Sequence, residues 1–117
     1  MIIYIAGPMR NCPRMNFDSF FGVESELERL GHQVINPARE DMDLGFDPDK
    51  SLEDQMHILG GLQTVIERDL GGVLASDAIY MLDGWGDSVG ARAEYHVALW
   101  AGKLLLDARW LEAQYAD

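Results

Sequence analysis

The chain has 117 residues and a formal net charge of −11, and 48% of its residues are hydrophobic and 25% charged. This length and composition predict one soluble globular domain, residues 1–117, with a core of its own. The nine lysines and arginines are scattered, so they form no basic surface of the kind that neutralises phosphates, and we expect no nucleic-acid partner.

The start of the chain lacks a basic leader, and no apolar stretch is long enough to span a bilayer. We therefore expect no membrane partner and a cytoplasmic location. The single cysteine, Cys12, has no partner for an internal disulfide, which fits a reducing compartment.

Short apolar runs alternate with helical patterns along the chain. Asn16 and Ser88 are the residue types that cap helix N-termini, and Gly31 is typical of a helix end. In chain order we predict a strand at 2–6, a helix from Asn16 to Gly31, a strand at 33–35, an exposed acidic loop at 38–50, a helix from Ser51 or Gly61 to Leu74, a strand at 78–82, a helix from Ser88 to about Ala101, a strand at 103–106 and a short helix after 108.

Strands that alternate with helices predict an α/β fold with a parallel sheet and right-handed crossovers. Ligands of such sheets bind beyond the carboxyl ends of the strands, where the strand order switches. The loops after the first and third strands both lie at that edge. This topology predicts a small-molecule site where Gly7–Arg10 meets Asp83–Glu94.

Glu94 is the main candidate for chemistry, because it lies in the second turn of the helix that Ser88 caps. Ala91, Ala93 and Tyr95 surround it in sequence, which would desolvate the carboxyl and raise its pKa. The small residue Gly90 lets a ligand approach the backbone N–H groups of the first turn. The alternatives are a surface glutamate paired with an arginine and a simple capped helix.

Other polar and aromatic residues near this edge also have two interpretations, one functional and one structural. Arg10 either binds an anion or is a solvated loop residue. Asp69 and Asp83 are carboxylates that glycosidic chemistry could use, or they serve as a cap or ion-pair partner. Trp85, in a loop flanked by glycines, could contact a ligand or a subunit, whereas Tyr80 is expected in the core.

The sequence lacks the common motifs for cofactors and metals. It contains neither a phosphate-binding loop with Lys-Ser/Thr nor a GxGxxG dinucleotide fingerprint. The aspartates at 41–49 alternate, but the glycine and glutamate that a calcium loop requires are out of place. The three histidines are far apart, so we expect no metal and no cofactor.

Four segments of the chain, in order, resemble the nucleoside 2-deoxyribosyltransferase superfamily, which includes 2′-deoxynucleoside 5′-monophosphate N-glycosidases. The short uncharacterised phage and bacterial members are the most similar. The matching segments are Tyr4-Ile5-Ala6-Gly7-Pro8, Gly31-His32-Gln33-Val34-Ile35-Asn36-Pro37, Asp69-Leu70 with Ser76-Asp77-Ala78, and Asp87-Ser88-Val89-Gly90-Ala91-Arg92-Ala93-Glu94. The resemblance implies a flavodoxin-like or Rossmann-like three-layer sandwich with four to five parallel strands.

By this resemblance, Glu94 is the nucleophile that attacks C1′ of the sugar, and Asp69 assists beside it. Ser88 favours the monophosphate hydrolases over the transferases, which carry an acid there, and Arg10 is the candidate phosphate partner. The residues assigned to substrate binding are Tyr4, Gly7, Pro8, Arg10, Asp83, Trp85, Ser88 and Gly90.

The resemblance predicts hydrolysis of a nucleoside 5′-monophosphate with retention. The alternatives are transfer of deoxyribose to a second base, a nucleotide-binding module without catalysis, and a structural interaction protein. The resemblance also implies a homo-oligomer, and the apolar tail around Trp110 and Tyr115 is the candidate subunit contact.

Overall fold

A computed structural model describes residues 1–116 as a parallel sheet between two layers of helices. The strand order is β2-β1-β3-β4. The strands are β1 (Ile2–Ala6), β2 (Gln33–Ile35), β3 (Ala78–Met81) and β4 (Leu104–Leu106). All three neighbouring pairs are parallel, with Tyr4 opposite Ile35 on one side and Ile79 on the other. The predicted α/β class, the parallel sheet and the four strands are confirmed.

Within the described residues, six α-helices connect and cover these strands. They are α1 (Phe17–Arg29), α2 (Pro37–Asp43), α3 (Leu52–Gln55), α4 (Leu62–Ala75), α5 (Val89–Trp100) and α6 (Ala108–Ala113). Short 3₁₀ turns lie at Pro13–Asn16, Met56–Leu59 and Trp85–Asp87. None of the helices within residues 1–116 combines the length and the apolarity needed to cross a membrane.

The alternation of β1 divides the core between the two faces of the sheet. Ile3 and Ile5 pack with α1 on one face, whereas Tyr4 and Ala6 pack with Val73 and other residues of α4 and α5 on the opposite face. Ile3, Tyr4, Ile5 and Ala6 are all buried, whereas Ile2 is half-buried. Tyr4 is thereby directed at the helix layer that contains Glu94.

The prediction of an exposed loop at 38–50 is wrong for the first half of this segment, which forms α2. Asn36 lies just before this helix and its Oδ1 accepts hydrogen bonds from the N–H groups of Ala38 and Arg39. Pro37, in the first position, has no N–H to leave unpaired. Asp41 and Phe46 are buried, so this segment belongs to the folded core.

Two predicted helix starts differ in their outcome. Asn16 precedes α1 but does not cap it, because its backbone is left-handed and its Nδ2 donates to the carbonyl of Pro8 at 2.9 Å. Ser88 caps α5 as predicted, with its Oγ accepting from the Ala91 N–H at 3.1 Å. The two glycines at 60–61 split the helical region after Ser51, one of the two predicted possibilities.

The loops after β1 and β3 meet at the carboxyl edge of the sheet. The N–H of Leu82 donates to the carbonyl of Ala6 at 2.8 Å, which extends the pairing one residue past β3. A Cβ on Gly7 would lie 2.6 Å from the Cβ of Leu82, so a larger residue would separate the strands. A Cβ on Gly84 would contact Pro8 at 3.5 Å. The predicted meeting of these loops is confirmed.

Candidate active site

Glu94 and Tyr4 form the centre of the site. The Tyr4 hydroxyl donates a hydrogen bond to Oε2 of Glu94, which joins the middle of β1 to the second turn of α5. Tyr4 is fully buried, and Glu94 is partly buried. The hydrogen bond therefore fixes the carboxyl of Glu94 against the face of the sheet, above the middle of β1.

Burial dominates the electrostatics of Glu94. It raises the pKa of Glu94 to about 8, although the hydrogen bond from Tyr4 acts in the opposite direction. The negative charge of Asp69 raises this pKa further, and the positive charge of Arg68 lowers it. At neutral pH the carboxyl is therefore largely protonated, and it becomes a carboxylate in mildly alkaline solution.

Tyr4 stays protonated over the whole range in which Glu94 titrates. Burial and the nearby negative charge of Glu94 raise the pKa of Tyr4 well above its ordinary value of 10.0. The hydroxyl is therefore a permanent hydrogen-bond donor, and this hydrogen bond favours the ionised form of Glu94.

Arg68 and Asp69 supply the remaining charges near Glu94, and both lie on α4. Nε and Nη2 of Arg68 donate to Oδ1 of Asp69 at 2.9 and 2.8 Å. Burial raises the pKa of Asp69 against the opposing effect of this guanidinium. Burial disfavours the charge of Arg68 as well, but Asp69 and Asp41 outweigh it and raise the pKa of the guanidinium.

Arg68 also connects the site to α2. Its Nη1 lies 2.8 Å from Oδ1 of Asp41, and its Nε lies 3.7 Å from Glu40. The Nη1 and Oδ1 atoms are buried and not aligned for a hydrogen bond, so their contact is an ion pair. Burial raises the pKa of Asp41 to about 6 despite this cation.

Gly72 leaves the space that the ring of Tyr4 occupies. A Cβ at this position would lie 3.0 Å from Cε2 of Tyr4 and 3.2 Å from Cγ2 of Ile35. A Cβ on the neighbouring Gly71 would meet no other segment of the chain within 4 Å. Sequence reasoning missed Gly72, Arg68 and Asp41. The Gly71-Gly72 pair inside a helical pattern was the available signal, since glycine is unfavourable there.

The structure therefore brings Tyr4, Asp69 and Glu94 together from three different elements. Ser88 and Gly90 lie at the start of the helix that contains Glu94, but the Ser88 hydroxyl is engaged as the helix cap. Gly90 is exposed, and a Cβ there would meet no other segment of the chain within 4 Å.

For Trp85, Asp83 and Arg10 the structure shows neighbours other than Tyr4 and Glu94. Trp85 stacks on Tyr95 with ring centroids 4.6 Å apart, so one of its faces is already covered. Asp83 is exposed and lines a depression of about 310 Å³ with residues of α1 and with Ala108 of α6. Arg10 is exposed, and its positive charge acts on Glu53. Hydrogen bonds from the backbone and from Ser51 lower the pKa of Glu53 most, and the charge of Arg10 lowers it further.

The family with the description "Domain of unknown function (DUF4406)" matches residues 1–107. The chain belongs to the DUF4406 family. No curated protein matches the sequence of this DUF4406 chain.

A solved structure is similar to this DUF4406 domain with a TM-score of 0.61 and 23% sequence identity, and the match covers 92% of this chain and 71% of that chain. It is described as a 2-deoxyribosyltransferase from the psychrotolerant bacterium Bacillus psychrosaccharolyticus, a biocatalyst for nucleoside synthesis. The likeness confirms the predicted flavodoxin-like three-layer fold.

The described part of the DUF4406 chain, residues 1–116, holds no group of three histidine, cysteine, aspartate or glutamate side chains placed to bind a metal ion. The chemistry that the observed groups can perform is that of carboxyls, a buried phenol and a guanidinium. These groups suit nucleophilic attack and acid–base catalysis.

Proposed function

We propose that this DUF4406 domain cleaves the base–sugar bond of a nucleoside or nucleoside 5′-monophosphate, with Glu94 as the nucleophile. The observation that carries the proposal is the Tyr4–Glu94 hydrogen bond, which holds a partly buried carboxyl in the helix that follows the loop after β3. Ligands of parallel sheets bind at the edge where such loops lie. The shared fold with a 2-deoxyribosyltransferase supports the same chemistry.

In the proposed reaction, the ionised Glu94 attacks C1′ of the sugar and a glycosyl–enzyme ester forms. The bond from C1′ to the base breaks, and the base leaves with the electron pair and takes up a proton from solvent. Water then attacks C1′ and releases a proton to solvent, the ester bond to Glu94 breaks, and the sugar leaves with retained configuration. Tyr4 orients the nucleophile, and Asp69 is the assisting carboxyl on the neighbouring helix.

The raised pKa of Glu94 gives this proposal a direction with pH. A nucleophile must be ionised, so base release should increase with pH and level off above about 8. A general acid would show the reverse, because its active form is the protonated one. The alkaline limb of the pH profile therefore separates the two roles of the same residue.

Preference for a 5′-monophosphate is the finer part of the proposal. It depends on the residue type at Ser88, on the exposed Arg10 and on the exposed start of α5 at Val89 and Gly90, since a helix N-terminus favours an anion. The competing substrate is an unphosphorylated nucleoside, and the competing second step is transfer to another base, as the described activity of the similar structure suggests.

The direct experiment incubates the protein with a panel of ribo- and deoxynucleosides, each with and without a 5′-phosphate, and measures free base by chromatography. We expect base release from at least one deoxynucleotide at pH 8, and loss of that release in Glu94→Gln. The matched control is Glu112→Gln, an exposed carboxyl on α6 that should keep full activity. Addition of an acceptor base distinguishes transfer from hydrolysis.

A folded protein that releases no base from any member of the panel would refute the proposal. Equal release by Glu94→Gln and the unsubstituted protein would remove Glu94 from the nucleophilic role. The panel also decides the phosphate question, because a monophosphate-specific enzyme leaves the matching nucleoside intact.

A second candidate function is nucleotide binding without turnover, and the protonated state of Glu94 at neutral pH favours it. This function predicts that a nucleoside or nucleotide of the panel stabilises the protein, but that no free base is released. A ligand present at one hundred times its dissociation constant adds about 2.7 kcal/mol to the unfolding free energy, which a thermal-shift assay detects. The proposed homo-oligomer and cytoplasmic location apply to both functions.

A further inference from the structure

The depression that Asp83 lines is a pocket on the face of the sheet opposite Glu94. It lies between α1, the end of β3 and the start of α6, and its volume is about 310 Å³. Tyr80, in β3, packs in the part of the core that contains α1, whereas Tyr4 packs in the part that contains α5. The sheet therefore separates this pocket, which we call the α1–β3 pocket, from the carboxyl of Glu94.

The Tyr80 hydroxyl is a polar group without a partner in the α1–β3 pocket. Only 3% of this residue is exposed. Its hydroxyl forms no hydrogen bond with any group of residues 1–116, yet its oxygen is not sealed off from solvent. Because Tyr80 lines the pocket, the accessible oxygen faces the open space there. A buried phenol usually finds a hydrogen-bond partner, so this one indicates a place for a ligand.

The charged groups that line the α1–β3 pocket are all negative. Asp83 and Glu26 line it, and its lining within residues 1–116 includes no lysine, arginine or histidine. Burial, and then the negative charges of Asp83, Asp107 and Glu112, raise the pKa of Tyr80 to about 12. The phenol is therefore neutral at physiological pH, and its oxygen can accept a hydrogen bond. The pocket suits a ligand that is positively charged and donates hydrogen bonds.

The two carboxylates lie towards opposite ends of the pocket. Asp83 follows β3 at the carboxyl edge of the sheet, where a Cβ on Gly84 would contact Pro8 at 3.5 Å. Pro8 accepts the hydrogen bond from Asn16, so the start of α1 lies at the same end. Glu26 follows Asn16 by ten residues on the helix, which corresponds to about 15 Å along its axis. The pocket is therefore elongated, with a negative charge towards each end.

The space between the two carboxylates is lined mainly by small and apolar residues. Val23 of α1 and Leu82 line it beside Tyr80, and Gly22 and Ala108 contribute no long side chain. A Cβ on Gly22 would meet no other segment of the chain within 4 Å, so packing does not require a glycine there. Glycine is unfavourable inside a helix. Its effect at this position is to keep the wall of the pocket open.

We propose that the α1–β3 pocket binds an aliphatic diamine or polyamine. One ammonium group lies beside Asp83 and donates to the Tyr80 hydroxyl, the methylene groups lie along Val23 and Leu82, and a second ammonium group faces Glu26. This site goes beyond the proposed function and does not depend on it, and it assigns Asp83 to the opposite face of the sheet from Glu94. Its volume is at the small end for ligand pockets, which suits a slender molecule.

A divalent metal ion fits the α1–β3 pocket less well than an amine. Calcium takes six to eight oxygen ligands within about 2.6 Å, and magnesium requires an octahedron. No three carboxylate, histidine or cysteine side chains of residues 1–116 are placed to bind such an ion. Two separated carboxylates with a phenol and apolar groups between them match two ammonium groups joined by methylenes.

Isothermal titration calorimetry with 1,4-diaminobutane and spermidine tests the proposal at low ionic strength. We expect one binding site for each amine, at least about tenfold weaker binding of butylamine, and no binding of uncharged 1,4-butanediol. Tyr80→Phe keeps the ring and should weaken diamine binding about tenfold, since it removes a hydrogen bond to a charged group. Asp83→Asn should weaken binding severalfold, because this carboxylate is exposed and screened by solvent.

The control variants separate the pocket from general attraction to an acidic protein. Glu28→Gln removes one negative charge from the exposed side of α1, outside the pocket, and should leave the affinity unchanged. Glu94→Gln should also bind the diamine normally, because its carboxyl lies on the other face of the sheet. Gly22→Leu should fill the pocket and abolish binding, with unchanged circular dichroism.

Four results would overturn the proposal. The first is a folded protein that binds neither amine, and the second is unchanged affinity in folded Tyr80→Phe and Gly22→Leu. The third is equal weakening by Glu28→Gln and Asp83→Asn, which would reduce the interaction to attraction by the net charge of −11. The fourth is loss of binding in Glu94→Gln, which would place the amine in the proposed catalytic site. Competition by magnesium chloride no stronger than that of sodium chloride at equal ionic strength would support the organic ligand, and displacement at stoichiometric magnesium would contradict it.

Discussion

Replacement of Glu94 by glutamine should stabilise the protein at alkaline pH. The fold raises the pKa of Glu94 from an ordinary 4.5 to about 8, mainly through burial. Between these two values the folded state binds a proton that the unfolded state has released. The unfolding free energy of the unsubstituted protein therefore falls as the pH rises through this range, and it becomes independent of this group above about 8.

Glutamine is neutral at every pH and can still accept the hydrogen bond from Tyr4. The Glu94→Gln substitution should therefore abolish the decrease of the unfolding free energy with rising pH. At 1.36 kcal/mol for each pKa unit, the ceiling of the effect is about 5 kcal/mol, and solvent screening of a partly buried group reduces it to roughly 2 kcal/mol. Such a gain from the loss of a functional group is the expected trade between stability and activity.

Urea denaturation at pH 5, 7 and 8.5 measures this difference. The gain of Glu94→Gln over the unsubstituted protein should be small at pH 5 and largest at pH 8.5. Glu112→Gln, exposed on α6, should differ from the unsubstituted protein by less than about 0.5 kcal/mol throughout. A Glu94→Gln variant that is equally or less stable at pH 8.5 would show that the carboxyl is not held in an unfavourable charged state.

Three further substitutions address the groups around this carboxyl. Gly72→Ala should destabilise the protein by about 1–2 kcal/mol in urea denaturation, because the new Cβ meets the Tyr4 ring. The control Gly71→Ala should increase the unfolding free energy by up to about 1 kcal/mol, and equal effects of the two substitutions would contradict this packing. Tyr4→Phe should reduce base release at pH 7 by roughly 10- to 150-fold and recover partly at higher pH, since a hydrogen bond to a charge contributes about 1.5–3 kcal/mol; an unchanged pH profile would argue against it. Arg68→Gln should lower the unfolding free energy by about 3 kcal/mol, because it leaves Asp41 and Asp69 without their counter-charge. Arg109→Gln, at an exposed position, is the control, and an equally small loss in both variants would refute the pairing role of Arg68.

Local patterns were sufficient to predict the sheet and the start of α5. A run such as 2–6, apolar and ended by glycine and proline, suits a strand buried on both faces, and the structure confirms it. Ser88 was recognisable as a cap because its hydroxyl acts within its own turn. The meeting of the loops after β1 and β3 followed from topology, which depends on strand order alone.

The features that sequence reasoning missed depend on contacts between distant segments. The acidic residues after Asn36-Pro37, broken by Gly45 and Pro48, are typical of an exposed loop. Asp41 is buried there because Arg68, far along the chain, supplies its counter-charge. Gly72 is required by the ring of Tyr4, a contact that no local pattern contains.

Asn16 was expected to cap α1, yet its side chain bonds to Pro8 instead. The residue type suits both roles, and the path of the preceding loop decides between them. The left-handed backbone at Arg14, Met15 and Asn16 directs the chain so that the amide faces the Gly7-Pro8 loop. A cap prediction therefore depends on the conformation of the residues before the helix as well as on the residue itself.

The most direct test of the central claim is a search for a sugar bound to Glu94. The protein is mixed at pH 8 with the substrate found in the panel, quenched in acid within the first turnover, digested and examined by mass spectrometry. We predict that the peptide containing Glu94 gains the mass of one glycosyl group, and that Glu94→Gln shows no such gain. Base release in the first turnover without any modified Glu94 peptide would contradict nucleophilic catalysis by this residue.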